Sequence, residues 1–139
     1  VAPTGNGRRE SFRSSPIPRM RATYMESGNA NPEDIIASVE KGVYVNEFSN
    51  GQVKIGEGDF TFFVKSGYLI ENGKLTMPVK DINVIGNGPQ ALKDIIAVGN
   101  DCKLDDSAWT CGKGQSVPVC CGMPTVLVNN LTVGGEENA

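Results

Sequence analysis

Apolar and polar positions along the chain change period several times, and each change marks an element. Arg19-Met20-Arg21-Ala22-Thr23-Tyr24-Met25 alternates, which suits a half-buried strand. Asn31-Pro32-Glu33-Asp34 reads as a helix start: Asn31 caps, Pro32 fits the first helical position, and the acids suit the positive end of the helix dipole. Ile35, Ile36 and Val39 supply one apolar face, and Gly42 is the expected stop. From Val43 the period is two. Val43–Val45 and Gln52–Ile55 flank a hairpin signal at Ser49-Asn50-Gly51. Phe60–Val64 and Tyr68–Ile70 are rich in strand formers. Asn72-Gly73 is the clearest two-residue hairpin turn. Lys74–Met77 leaves it, Pro78 demands an edge, bulge or strand end, and Ile82–Ile85 is another short strand.

A second helix is expected from Asn87, with Pro89 early, Leu92, Ile95 and Ile96 on its apolar side, and Gly99-Asn100 as its end. Trp109 reads as a large apolar anchor whose indole N–H needs an acceptor. A last long strand runs through Thr125–Val128 and on to Leu131–Val133. Residues 1–18 look like an irregular lead-in, and 134–139 like a frayed tail. The pattern predicts a mainly β domain with two short helices (α+β), its antiparallel sheet rolled into a barrel-like or layered form. Strands and helices do not alternate, which disfavours a doubly wound parallel sheet.

The 139 residues suit one domain. A formal net charge of -3, with acids and bases mixed along the chain, gives no electrostatic reason to expect nucleic acid or anionic membrane as partner. No apolar run is long enough to span a bilayer, and no signal peptide is read at the start of the sequence. The start at Val1 without methionine fits processing or a piece of a longer protein. The chain has no histidine, so the commonest general base and metal ligand is absent from it.

Four cysteines, Cys102, Cys111, Cys120 and Cys121, include no C-x-x-C pair, which argues against a self-contained zinc finger. Their number and the missing signal favour free thiols and a cytoplasmic location. Cys111 stands out because it opens Cys111-Gly112-Lys113-Gly114-Gln115-Ser116-Val117-Pro118. Two glycines around a lysine place a thiol on a tight, backbone-rich bend that a metal or substrate can approach closely, with Lys113 favouring the thiolate. The plain alternative is a buried cysteine before an ordinary hairpin. Arg8, Arg9 and Arg13 can hold a phosphate or carboxylate, or be solvated charges or an internal ion pair with Glu10. Arg19 can hold a peptide carboxylate or a structural ion pair. Gln115 and Ser116 can bond a substrate strand or merely satisfy the hairpin. Cys102, Cys120 and Cys121 read as packing residues.

Several segments occur in one order: Arg8-Arg9-Glu10-Ser11, Pro18-Arg19-Met20, Tyr68-Leu69-Ile70-Glu71-Asn72-Gly73-Lys74, Val98-Gly99-Asn100-Asp101, Cys111 to Pro118, and Asn130-Leu131-Thr132-Val133-Gly134-Gly135. Together they resemble the C-terminal part of the TldD/PmbA metallopeptidase family, the TldD branch in particular, also called modulators of DNA gyrase. The resemblance implies a longer protein whose upstream part carries a His-Glu-x-x-x-His helix. The histidines there bind zinc and the glutamate handles the attacking water. The C-terminal part adds a cysteine ligand, which falls on Cys111. It implies flexible peptides or unfolded protein segments as substrates, and a PmbA (TldE)-type partner subunit or self-association into a dimer. Two imidazoles and one thiolate would leave zinc an open position for water. One cysteine alone is not a zinc site, so the isolated chain is expected to bind zinc weakly and to lack peptidase activity. The rival reading is a non-catalytic binding or scaffold module of the PmbA (TldE) type. Direct DNA binding lacks a basic face.

Overall fold

The computed structural model describes residues 4–105 and 109–135. The chain divides into two compact units. The first joins Val1–Ser27 to Asp101–Pro124, and the second joins Gly28–Asn100 to Thr125–Ala139. Secondary structure is mainly β with two short helices, as expected from the periodicity.

In the second unit α1 (Pro32–Ala37) starts as predicted. The Asn31 side chain accepts the Glu33 N–H, and Ile35 is the residue it buries. It ends at Ala37 with Ser38 as cap, before Val39 and Gly42. The centre of the unit is the hairpin of β4 (Lys41–Val53) and β5 (Asp59–Glu71). The expected reversal at Ser49-Asn50-Gly51 is absent. Those residues stay in β4, where Gly51 faces Phe62 and a Cβ would strike the Phe62 ring. The chain reverses beyond Val53 instead, where Gly56 and Gly58 supply the positive φ values of 97° and 82°. Asn72-Gly73 does turn the chain, with φ of 51° and 73° as a type I′ turn needs.

From that turn β6 (Lys74–Val79) returns along one half of β5, and β7 (Ile82–Asn87) along the other. Among the described residues β6 pairs only with β5, so Pro78 sits on an edge strand beside a register shift. Val64, Ile70 and Val84 form the buried core of these strands. α2 (Gly88–Lys93) is capped by Asn87 but stops after six residues. Ile95 and Ile96, expected on its apolar side, belong to β8 (Ile95–Val98), which pairs with β12 (Val126–Val128). The C-terminal strand expected to run on to Val133 breaks at Asn130, whose φ is 58°, and β13 (Thr132–Gly134) joins β7. Of the predicted frayed tail, Gly134 is in β13, and 136–139 lie outside the described residues.

The first unit departs further from expectation. The lead-in is not irregular: β1 (Gly7–Arg8) and β2 (Ile17–Pro18) form an antiparallel ladder, while residues 1–3 lie outside the described set. The strand expected over 19–25 shortens to β3 (Ala22–Tyr24). β9 (Lys103–Leu104), β10 (Trp109–Gly112) and β11 (Ser116–Met123) complete the unit. β11 pairs antiparallel with β10 and β9 but parallel with β3, so the sheet is mixed rather than antiparallel. Among the described residues no sheet closes on itself, and the barrel-like alternative gives way to separate open sheets. No helix among them is long and apolar enough to cross a membrane.

Candidate metal-ligand bend

In β11 the side chains alternate. Val117 and Val119 are buried, and Pro118 and Cys120 face outward. Cys111 pairs with Val117 across the ladder, so its side chain lies on the Val117 face, half-buried at the end of β10. Lys113–Gln115 then reverse the chain. Gly114 has a φ of +67°, and the Lys113 N–H donates to the Gln115 carbonyl at 3.0 Å. Among the described residues a Cβ at Gly112 or Gly114 would meet nothing within 4 Å, which leaves the bend's outer surface open.

The lead-in arm grips this bend. The Glu10 N–H donates to Gln115 Oε1 at 3.1 Å, and the Ser116 N–H donates to Glu10 Oε2 at 3.1 Å. Gln115 Nε2 donates to the Ser15 carbonyl at 2.9 Å. Arg8 spans the Met20 and Pro118 carbonyls at 2.7 and 2.8 Å. Arg8 therefore holds backbone rather than a ligand, and Glu10 serves the bend rather than an arginine. Gln115 and Ser116 are committed to the same network, which favours hairpin satisfaction over substrate binding.

Arg19 is the buried charged residue of the unit, 5% exposed. Its Nη2 donates to the carbonyls of Cys111 and Gln115, the latter at 2.7 Å. The Arg19 guanidinium first, and then the Met20 backbone, hold the Cys111 thiol pKa below the ordinary thiol value. Partial burial opposes them, and Lys113 contributes least. The sequence singled out Lys113 as the group favouring thiolate. Arg19 is the larger influence, and only the fold brings it to Cys111 from the other end of the chain. Its placement in Pro18-Arg19-Met20 carried no local signal of that role.

The other cysteines do not join Cys111. Cys102 donates its thiol to the Met25 carbonyl at 3.1 Å, Cys121 is half-buried, and Cys120 is exposed rather than packed. All four thiols are free. Trp109 finds its acceptor in Asp105 Oδ2 at 2.9 Å, but it is 44% exposed and anchors no core. Among the described residues no three metal-binding side chains converge. Chemically, Cys111 fits the role of one thiolate ligand on an open bend, and a zinc ion needs further ligands from outside these residues.

Residues 1–135 match the family described as PmbA/TldA metallopeptidase C-terminal domain. The chain is 48% identical over 136 residues to the metalloprotease TldD homolog of Buchnera aphidicola subsp. Acyrthosiphon pisum, covering 97% of this chain and 28% of that protein. It is 34% identical over 134 residues to the zinc metalloprotease TldD homolog of Saccharolobus solfataricus, covering 96% and 30%. Among solved structures, a Thermotoga maritima protein described as a modulator of a DNA gyrase aligns with a TM-score of 0.69 at 28% identity, over 96% of this chain and 27% of that one. TldE from Thermococcus kodakarensis shares the fold, with a TM-score of 0.77 at 20% identity over 95% and 28%. The chain thus spans less than a third of the length of the curated relatives it matches.

Proposed function

Because this chain belongs to the PmbA/TldD metallopeptidase family, as its C-terminal domain, we propose that it supplies the cysteine ligand of a TldD-type zinc peptidase. The remaining ligands and the glutamate lie in an upstream part, on a His-Glu-x-x-x-His helix. The observation that carries the reading is Cys111 itself: a half-buried thiol on a bend free of neighbours at both glycines, with Arg19 and Met20 favouring its thiolate. A zinc metalloprotease among the relatives supports the choice of metal.

When bound, zinc supplies Lewis-acid polarisation of a peptide carbonyl and acidifies a water. This chain's residues do the holding. Cys111 offers the sulfur, the Lys113–Gln115 turn keeps it at the surface of the unit, and Glu10, Arg8 and Arg19 fix that turn. The substrates are flexible peptides or unfolded protein segments. The partner is a PmbA (TldE)-type subunit or a second copy, and the location is cytoplasmic. The chain by itself, without the other ligands, has no peptidase activity.

Zinc content of the full-length protein, wild type beside Cys111→Ser, tests the reading. Near-stoichiometric zinc in the wild type and its loss in the variant is the expected result. Equal zinc in both removes Cys111 from the metal shell. A protein purified without chelator that carries no zinc in either form favours the non-catalytic TldE-type scaffold.

A further inference from the structure

Arg19 is far more buried than a free cation tolerates, and what it touches tells what it does. Its Nη2 reaches two carbonyls, those of Cys111 and Gln115, which are the two ends of the thiol-bearing turn. Its Nε and Nη1 are enclosed and hydrogen-bond to nothing among the described residues. Nitrogens enclosed in this way offer no landing place for a substrate carboxylate, and the partners of Arg19 among the described residues are main-chain carbonyls rather than the carboxylate of an ion pair. Arg19 is itself fixed, because its own N–H donates to the Asn6 carbonyl at 3.0 Å and its neighbour Met20 is held through its carbonyl by Arg8. A planar fork on two carbonyls sets a distance and an angle that a point charge on a flexible stem does not.

We propose that Arg19 is a positioning residue for the metal ligand: it locks both ends of the Cys111–Gln115 turn and thereby sets the direction from which Cys111 presents its sulfur. The proposal rests on the reading of Cys111 as a zinc ligand. Groups that orient a ligand from behind typically change metal affinity 10- to 100-fold when altered.

The test uses the full-length protein in four forms: wild type, Arg19→Gln, Arg19→Lys and Cys111→Ser. Zinc affinity is measured by chelator competition, and the thiolate-to-cobalt charge-transfer band is recorded after cobalt substitution. Circular dichroism and thermal melting establish folding. The expected result for folded Arg19→Gln is zinc binding weakened about 10- to 100-fold, with a shifted or weakened band. Arg19→Lys should restore only part of both, because it keeps charge but loses the fork. Wild-type affinity and an unchanged band in folded Arg19→Gln overturn the proposal. Wild-type zinc binding in Cys111→Ser is a different failure, that of the ligand reading, and it takes the proposal with it. If neither Arg19 variant folds, hydrogen exchange on the wild type decides. A Lys113 amide as slow as the β11 amides supports a locked turn, and exchange at the rate of a free peptide overturns it.

Discussion

Two glycines flank Lys113, and the structure gives them different reasons to be there. Gly114 has a φ of +67°, whereas Gly112 is not in the left-handed region, and neither position has a neighbour within 4 Å of a built Cβ. An alanine at 114 must therefore either hold a left-handed conformation, at about 1–2 kcal/mol, or leave it. Leaving it unlocks the turn that carries Cys111. If zinc binds only the locked turn, apparent affinity falls by the fraction of molecules still locked, at most about 5- to 30-fold for that energy. Asparagine tolerates the left-handed region, so Gly114→Asn should lose much less. Gly112→Ala meets neither strain nor collision and should bind zinc within about twofold of wild type; it even loses unfolded-chain freedom, worth about 0.4–1 kcal/mol in its favour. The assay is zinc competition on full-length protein, with the three variants side by side. Equal losses for Gly112→Ala and Gly114→Ala would refute the reasoning, because space rather than backbone conformation would then control the bend. So would a Gly114→Asn protein as impaired as Gly114→Ala.

Three further outcomes follow from the same fold. Gly73→Ala combines a φ of +73° with a Cβ 2.5 Å from the Ala37 carbonyl oxygen, so it should cost about 3 kcal/mol. The loss should appear as lost hydrogen-exchange protection in the β5–β6 hairpin, while Gly5→Ala, left-handed but unobstructed, should cost only about 1 kcal/mol. Val64→Ala removes two methyl groups from a side chain 1% exposed and should destabilise by about 2 kcal/mol, read from exchange of the β5 amides under mild denaturant. In metal-free protein, Cys111 should be alkylated by iodoacetamide at a lower pH than free cysteine. A lowered thiol pKa means more thiolate at neutral pH, and the profile should move to higher pH in Arg19→Gln; an unmoved profile would show that the guanidinium does not act on the sulfur.

What the sequence revealed divides along the reach of the interactions. The caps at Asn31 and Asn87 and the turn at Asn72-Gly73 were legible because a few adjacent residues decide them. Asn50-Gly51 carried the same local signal and failed. The register of β4 against β5 sets Gly51 opposite the Phe62 ring, and that pairing outweighs the turn preference. Ile95 and Ile96 continued a helical period, yet they lie in β8, which pairs with β12 about thirty positions downstream. At the site, Cys111 was visible as a thiol in a glycine-flanked turn, and the ordered motifs placed it in its family. The arm from Asn6 to Arg19 was not legible as part of that site. Its contacts with the bend are hydrogen bonds between groups about a hundred residues apart, and no periodicity encodes them.

The discontinuity of the first unit has a consequence for how the protein is made. Arg8 meets the Pro118 carbonyl across 110 positions, and β3 pairs in parallel with β11 from the opposite end of the chain. On a ribosome the hairpins of the second unit are complete while the partners of the arm are still unsynthesised. Closing so long a loop is slow, since its entropy must be lost before any contact rewards it. The thiol therefore acquires its fixed surroundings late in biogenesis. A nascent chain stalled before β11 would display the lead-in arm without the bend it grips.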